Sequence, residues 1–250
     1  MIEAGFWGLV SGSALILGAL IAYFFTLPQR LIAGIMALGA GVLISAVAFD
    51  LVDEASQQGG IGATAAGFIG GTLMYTIANI VVARQGARHR KRSGWNQRES
   101  QPHADSGGGM AIAVGALLDG IPESIVIGAS LIEGGAVSTV TVAAVFLSNV
   151  PEGLSSAAGM KRAGRGPAYI FGVWTCIALA SGLAAMLGNV ALAEAAPETL
   201  AAVMAVAAGA ILAMLVDTMI PEATEETHDY SGLIAAIGFL SAFMLSKWGG

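Results

Sequence analysis

This sequence is poor in charge: Asp, Glu, Lys and Arg make up 11% of its 250 residues, where a soluble domain carries roughly a quarter. That excludes an ordinary water-soluble globule. Cysteine is almost missing too, with Cys176 alone in an apolar stretch, which rules out an intramolecular disulfide framework and any cysteine metal cluster and leaves the redox compartment open. No basic region precedes the first apolar run. Met1-Ile2-Glu3-Ala4 leads straight into it and no small-residue cleavage signal follows, so the first segment is read as a retained helix and not a signal peptide.

What is present points to lipid as the solvent. Hydrophobic residues make up 56% of the chain, mean hydropathy is +0.76, and there are 35 glycines. Membrane helices associate through close backbone approach at small residues, and the runs Gly34 to Gly41 and Gly67 to Gly71 have the look of packing faces. The net charge of -6 is unevenly spread, so the sum says little about partners; the lipid bilayer is one expected partner and nucleic acid is not.

A hydrocarbon core of roughly 30 Å takes about 20 helical residues to cross. Apolar stretches of that order lie near 5–26, 31–52, 61–83, 110–132, 136–160, 167–190, 198–219 and 231–248. The expected fold is therefore all-α, a single transmembrane domain over 1–250 with eight transmembrane helices. Basic residues collect in short cytoplasmic loops. With the N-terminus outside, Arg30, the cluster Arg84, Arg88, Arg90, Lys91, Arg92 and Arg98, and the group Lys161, Arg162 and Arg165 all fall inside, leaving only Lys247 outside. Both termini are thus expected on the extracytoplasmic side of a cell (inner) membrane. The segment 86–109 is basic and rich in Gly and Ser, with too little apolar surface to fold alone, and is expected to be a mobile cytoplasmic loop. Its basic run most simply meets anionic headgroups; His89 and His103 gathering metal is the weaker reading.

Two motifs carry the chemistry. Asp119-Gly120-Ile121-Pro122-Glu123-Ser124 lies in the fourth span and Ser148-Asn149-Val150-Pro151-Glu152-Gly153 in the fifth, with Pro and Glu in register. Ionisable groups at membrane depth cost at least a few kcal/mol (about 2.5–3.5 on insertion scales), and so face a cavity or each other. At 1.5 Å per residue, antiparallel fourth and fifth helices set Asp119 beside Glu152 and Glu123 beside Ser148, roughly 12–20 Å from the inner boundary. Positions four apart share a helix face, which pairs Asp119 with Glu123 and Ser148 with Glu152. Pro122 and Pro151 free the carbonyls of Leu118 and Leu147 and are expected to bend both helices, as where transporters build ion sites.

Three carboxylates meeting at low dielectric repel one another unless one is protonated or a cation joins them. A divalent ion resolves the conflict and should displace protons, giving weaker transport at low pH. The candidate metal set is Asp119, Glu123, Ser148, Asn149 and Glu152. The plainer reading is a pair of kinked helices with interhelical hydrogen bonds, harder to hold for a repeated Pro-Glu pair with Asp119 and Asn149. Asp50, Asp53 and Glu54 end the second span and are candidates for an entrance. Asp217, Glu222, Glu225 and His228 follow the seventh and are candidates for an exit, with ordinary solvated helix ends as the competing account. Gly41–Ala55 and Gly209–Ala223 align weakly with Gly, Glu and Ala coincident.

On these motifs the chain resembles the Zrt/Irt-like (ZIP) family of divalent metal transporters, close to its prokaryotic branch, over essentially its whole length. The resemblance implies a bundle in which helices 1–3 and 6–8 form an inverted repeat around central helices 4 and 5. It also implies a homodimer, and alternating access by an elevator-like or rocking bundle with import towards the cytoplasm. Glu123 and Glu152 match the family's glutamate ligands and Asn149 a ligand position of the fifth helix. Asp119 stands where His is usual, Gly120 where Asn is usual, Ser148 where His or Gln is usual, and Ser124 where Gly is usual. Ser181-Gly182-Leu183 begins a sixth-helix motif whose Glu would fall near Ala185, so one metal or two is left open. Oxygen ligands suit Mn2+ and Mg2+, and Zn2+ or Fe2+ also accept carboxylates. The expected substrate is Zn2+ or a related ion such as Mn2+, Fe2+ or Cd2+, carried as cargo and not as a cofactor. No enzyme activity is expected. An intramembrane metal-dependent hydrolase would need stronger ligands and a nucleophile constellation, and a non-transporting sensor or scaffold would keep the fold with a degraded site.

Overall fold

The computed structural model describes residues 1–91, 93, 109–132, 139–227 and 229–249. Every regular element among them is a helix: α1 (Ile2–Phe24), α2 (Gln29–Ala46), α3 (Asp53–Val82), α4 (Gly109–Ser130), α5 (Thr139–Arg162), α6 (Pro167–Leu192), α7 (Pro197–Met214), α8 (Ile220–Thr227) and α9 (Ser231–Gly249). Pro167 and Pro197 open α6 and α7 at their first positions, where a missing N–H costs nothing. Wide π-helical turns over Val47–Val52 and Leu215–Met219 join α2 to α3 and α7 to α8.

Five helical stretches are long and apolar enough to cross a membrane: Ile2–Phe24, Gln29–Ala87, Met110–Ser130, Pro167–Leu192 and Pro197–Glu225. The fold is thus all-α and compatible with membrane embedding. The stretch Gln29–Ala87 is not one straight rod, because Gly60 leaves helical geometry at φ 73 and ψ 160, a conformation that glycine adopts without a Cβ penalty. Ser231–Lys247 is a shorter apolar helix. The 24-residue α5 is absent from the apolar group because it carries Ser148, Asn149, Glu152, Ser155 and Ser156, all turned inward.

Glycine sets how the helices meet. A methyl on Gly71 would overlap the carbonyl of Val206, and one on Gly209 would overlap that of Phe68, so α3 and α7 touch backbone to backbone; they run parallel, their contacts rising together from Gly59 against Ala201 to Asn79 against Asp217. The same crossing recurs between α2 and α9, where Gly41 abuts the carbonyl of Ala235 and Gly238 that of Leu38. Gly41 and Gly209 head the two weakly similar stretches of the sequence, and the two π-helical turns fall at matching places within them. The likeness therefore extends from residues to backbone shape.

Around these pairs, α1 lies along α5 and α6, while α4 lies along α6 and α7. Helix α5 is seated by three glycines. Gly18 and Gly153 bring α1 and α5 into backbone contact, and Gly39 on α2 leaves room for the Pro151 ring. Both α4 and α5 continue as helices through Pro122 and Pro151. The main apolar core gathers Met36, Leu43, Met204, Ile211, Met214 and Met219 between α2 and α7, and a second gathers Leu15, Ile112, Leu154, Ile170 and Trp174 around α1, α5 and α6.

Candidate functional site

The site stands where α3, α4 and α5 face the short segment that follows α3. Asp119 on α4, Glu123 one turn further on and Glu152 on α5 are 1%, 2% and 3% exposed. A carboxylate so placed needs a compensating charge or hydrogen bonds. Two cations from the chain supply them: Arg90 and Lys91 are 1% and 3% exposed.

Arg90 is the fully engaged one. Its Nε donates to Asp119 Oδ2 at 2.9 Å and its Nη2 to Asp119 Oδ1 at 2.7 Å, the two-pronged geometry that distinguishes Arg from Lys. Nη2 also donates to the Tyr75 hydroxyl at 2.9 Å, and Nη1 donates to Asn79 Oδ1 at 2.9 Å and to the carbonyl of Ala87 at 3.3 Å. Tyr75 in turn donates to Asp119 Oδ1 at 2.5 Å. The bare Cα of Gly115 makes room on α4 for the Arg90 side chain.

Lys91 does something different. Its Nζ lies 2.9 Å from Glu152 Oε2 and 3.3 Å from Asp119 Oδ2, so one ammonium stands between the carboxylates of two helices, without a well-directed hydrogen bond to either. Glu123 sits in the electrostatic field of Glu152, Lys91 and Asp119. Its Oε1 is buried with no hydrogen-bond partner among the described residues.

The segment is tied down by its backbone. Ser156 donates to the carbonyl of Arg90 at 2.7 Å and Ser155 to that of Lys91 at 2.8 Å. The Ser93 amide donates to Glu222 Oε1 at 2.9 Å, and the Ser93 hydroxyl makes a very short bond to the same oxygen. Glu222 Oε1 also accepts from Ser155 at 2.9 Å and from Gln29 at 3.4 Å.

These contacts correct part of the sequence reading. Within the expected loop over 86–109, Arg90 and Lys91 do not meet water or headgroups; they are core counterions, because Asp119 and Glu152 would otherwise be buried charges without partners. Residues 92 and 94–108 of that loop, His103 among them, lie outside the described residues. Asp119 and Glu152 do share one place, as the antiparallel register predicts, but Asp119 is already engaged by Arg90. Ser148 returns its hydroxyl to the carbonyl of Val145 at 2.9 Å, and Asn149 donates to the carbonyl and hydroxyl of Ser11 on α1 at 3.1 and 3.3 Å, so both serve helix structure.

At the expected mouths the outcome is mixed. Asp50 accepts from Ser246 on α9 at 2.8 Å and Asp53 from Gln57 at 2.9 Å, while Glu54 is partly exposed. Asp217 accepts from Asn79 at 3.1 Å and lines a polar cavity of about 270 Å³ with Arg88, His89, Arg90, Lys91 and Thr218. Glu222 is wholly buried and fastens Ser93, so it lines no open funnel. Glu225 is partly exposed, and His228 lies outside the described residues.

Sequence reasoning missed Tyr75, Arg90, Lys91, Ser155 and Ser156. A hydroxyl pair one turn after the Pro-Glu of α5 was the available signal, since its face continues that of Glu152. Among the described residues no group of three or more His, Cys, Asp or Glu side chains is arranged to hold a metal ion. Lys91 stands between Asp119 and Glu152. No family model matches the chain, and no curated protein matches it.

Proposed function

We propose that this chain carries divalent metal cations across a membrane, towards the cytoplasm, by alternating access at the Glu123–Glu152 pair with Asp119 alongside. One observation carries the reading. Glu123 is a buried carboxyl with an oxygen that nothing in the described protein satisfies, next to a second carboxylate whose partner is a single ammonium. Buried ionisable groups in a membrane protein mark ion pathways by default, and a divalent ion bridging Glu123 and Glu152 would satisfy both.

The wider reading follows the Zrt/Irt-like resemblance. The halves of Gln29–Ala87 on either side of Gly60 each cross, α5 crosses shielded by its neighbours, and the glycine crossings of α3 with α7 and α2 with α9 each join one helix from either half of an inverted repeat. Zn2+, Mn2+, Fe2+ and Cd2+ are the candidate cargoes, and a homodimer is the expected assembly.

Purified protein in proteoliposomes tests this. Uptake of at least one of Zn2+, Mn2+, Fe2+, Cd2+ or Mg2+ is expected, weakening at acid pH, and E123Q and E152Q should each remove most of it. No flux of any of these ions sinks the reading. The Arg90–Asp119 pair gives one specific support to a second reading, a sensor or scaffold that keeps the fold without flux, because it withdraws Asp119 from the ligand set. That protein would show no flux for E123Q and E152Q to abolish.

A further inference from the structure

We propose that Lys91 is a tethered competitor for the cation site: its ammonium holds the position that the transported ion takes, and the ion binds by driving it out. The inference rests on the transport reading and names how that site is regulated.

Charge count and geometry carry it together. Arg90 and Asp119 neutralise each other in a two-pronged pair braced by Tyr75 and Asn79, and such a pair is not easily exchanged. Lys91 and Glu152 neutralise each other as well, but through a 2.9 Å ion pair that lacks directed hydrogen bonds. An ammonium is a compact point charge on a flexible stem, which makes it the side chain that most nearly imitates a metal ion. A divalent ion seated on Glu152 and Glu123 would stand within a few ångströms of that ammonium, and at low dielectric two such cations repel strongly. One of them must leave.

The backbone decides how far Lys91 can go. Residues 90 and 91 are held on α5 by the hydroxyls of Ser156 and Ser155, and residue 93 is held on α8 by Glu222. The four-carbon stem alone can swing the ammonium towards the polar cavity lined by Arg88, His89, Asp217 and Thr218, where Asp217 offers a replacement anion. Arg90 can remain in place while this happens. The neighbouring residues thus divide the labour: the guanidinium fixes α4 to α3, and the ammonium reports whether the site is filled.

Two measurements on the full-length protein test it. In the first, Mn2+ and Zn2+ are titrated into wild type and K91Q, with K91R as a variant that keeps the charge. K91Q is expected to bind the ion about tenfold more tightly or better, and K91R to stay near wild type. In the second, amine labelling read by mass spectrometry follows Lys91 against Lys161 and Lys247 in the same wild-type chain. Lys91 should be protected without metal and labelled at least about tenfold faster when Mn2+ is added, with the other two unchanged. Metal binding of equal strength in wild type and K91Q, or continued protection of Lys91 in metal-loaded protein, overturns the competition and leaves transport standing. No binding in any of the three proteins overturns the transport reading and the competition with it. If K91Q does not fold, the labelling result alone decides.

Discussion

Arg90 and Lys91 are neighbours in the chain, equally buried and equally charged, yet they meet the same carboxylate cluster in opposite ways. Arg90 finds an acceptor for each side of its guanidinium fork; Lys91 has charge contacts only. The difference shows that burial and ion pairing do not by themselves make a side chain structural. What decides is whether its departure would leave other groups unsatisfied. Removing Arg90 takes a partner from Asp119, Tyr75 and Asn79 together. Displacing Lys91 strands only Glu152, which a cation can satisfy at once.

The sharpest way to break this contrast is to remove Arg90. R90Q leaves Asp119 buried with its fork partner gone and should destabilise the protein by about 3–5 kcal/mol, read as a large drop in thermal unfolding temperature in detergent. If R90Q and K91Q cost the same, the two cations do not differ in role. The next effect concerns the frame that holds them. G71L forces α3 and α7 apart at a backbone contact and should cost at least roughly 1–3 kcal/mol, and G41L, at the equivalent crossing of α2 with α9, should cost a similar amount. A large inequality between them would mean that the two crossings do not support the bundle equally. Within the network, Y75F deletes one hydroxyl bonded to both Asp119 and Arg90, with an expected loss of about 1 kcal/mol. The smallest change in stability is expected for E123Q, which keeps the shape and removes a carboxyl oxygen that had no partner. Its unfolding temperature should hold within about 1 kcal/mol of wild type while metal flux falls, and a clear fall in stability would show that Glu123 is structural.

Much of the frame was legible because it rests on patterns that residues display locally. Long apolar runs gave the helices, and counting the helical rise along antiparallel fourth and fifth spans placed Asp119 near Glu152, where the structure has them on either side of Lys91. The faint likeness of Gly41–Ala55 to Gly209–Ala223 also returned as matched π-helical turns. The counterions were not legible. A run such as Arg88-His89-Arg90-Lys91 has the composition of a solvated segment, and nothing local tells that two of its members fold back onto carboxylates on α4 and α5. Asn149 misled for the converse reason: its amide suits a metal, but its place on α5 turns it to Ser11 on α1. Glu222, read as a candidate for the exit, is wholly buried and is the acceptor for Ser93.

The π-helical turns at Val47–Val52 and Leu215–Met219 have a geometric result of their own. Adding one residue to a turn rotates everything beyond it by about 100° relative to a continuous α-helix. In both rods the glycine and the acidic residue nonetheless meet the same neighbour, Gly41 and Asp50 on α9 and Gly209 and Asp217 on α3. Asp50 reaches Ser246 and Asp217 reaches Asn79 from within the wide turns themselves. Deleting a single residue from the first turn would turn all of α3 about its axis, and its Gly71 contact with α7 along with it.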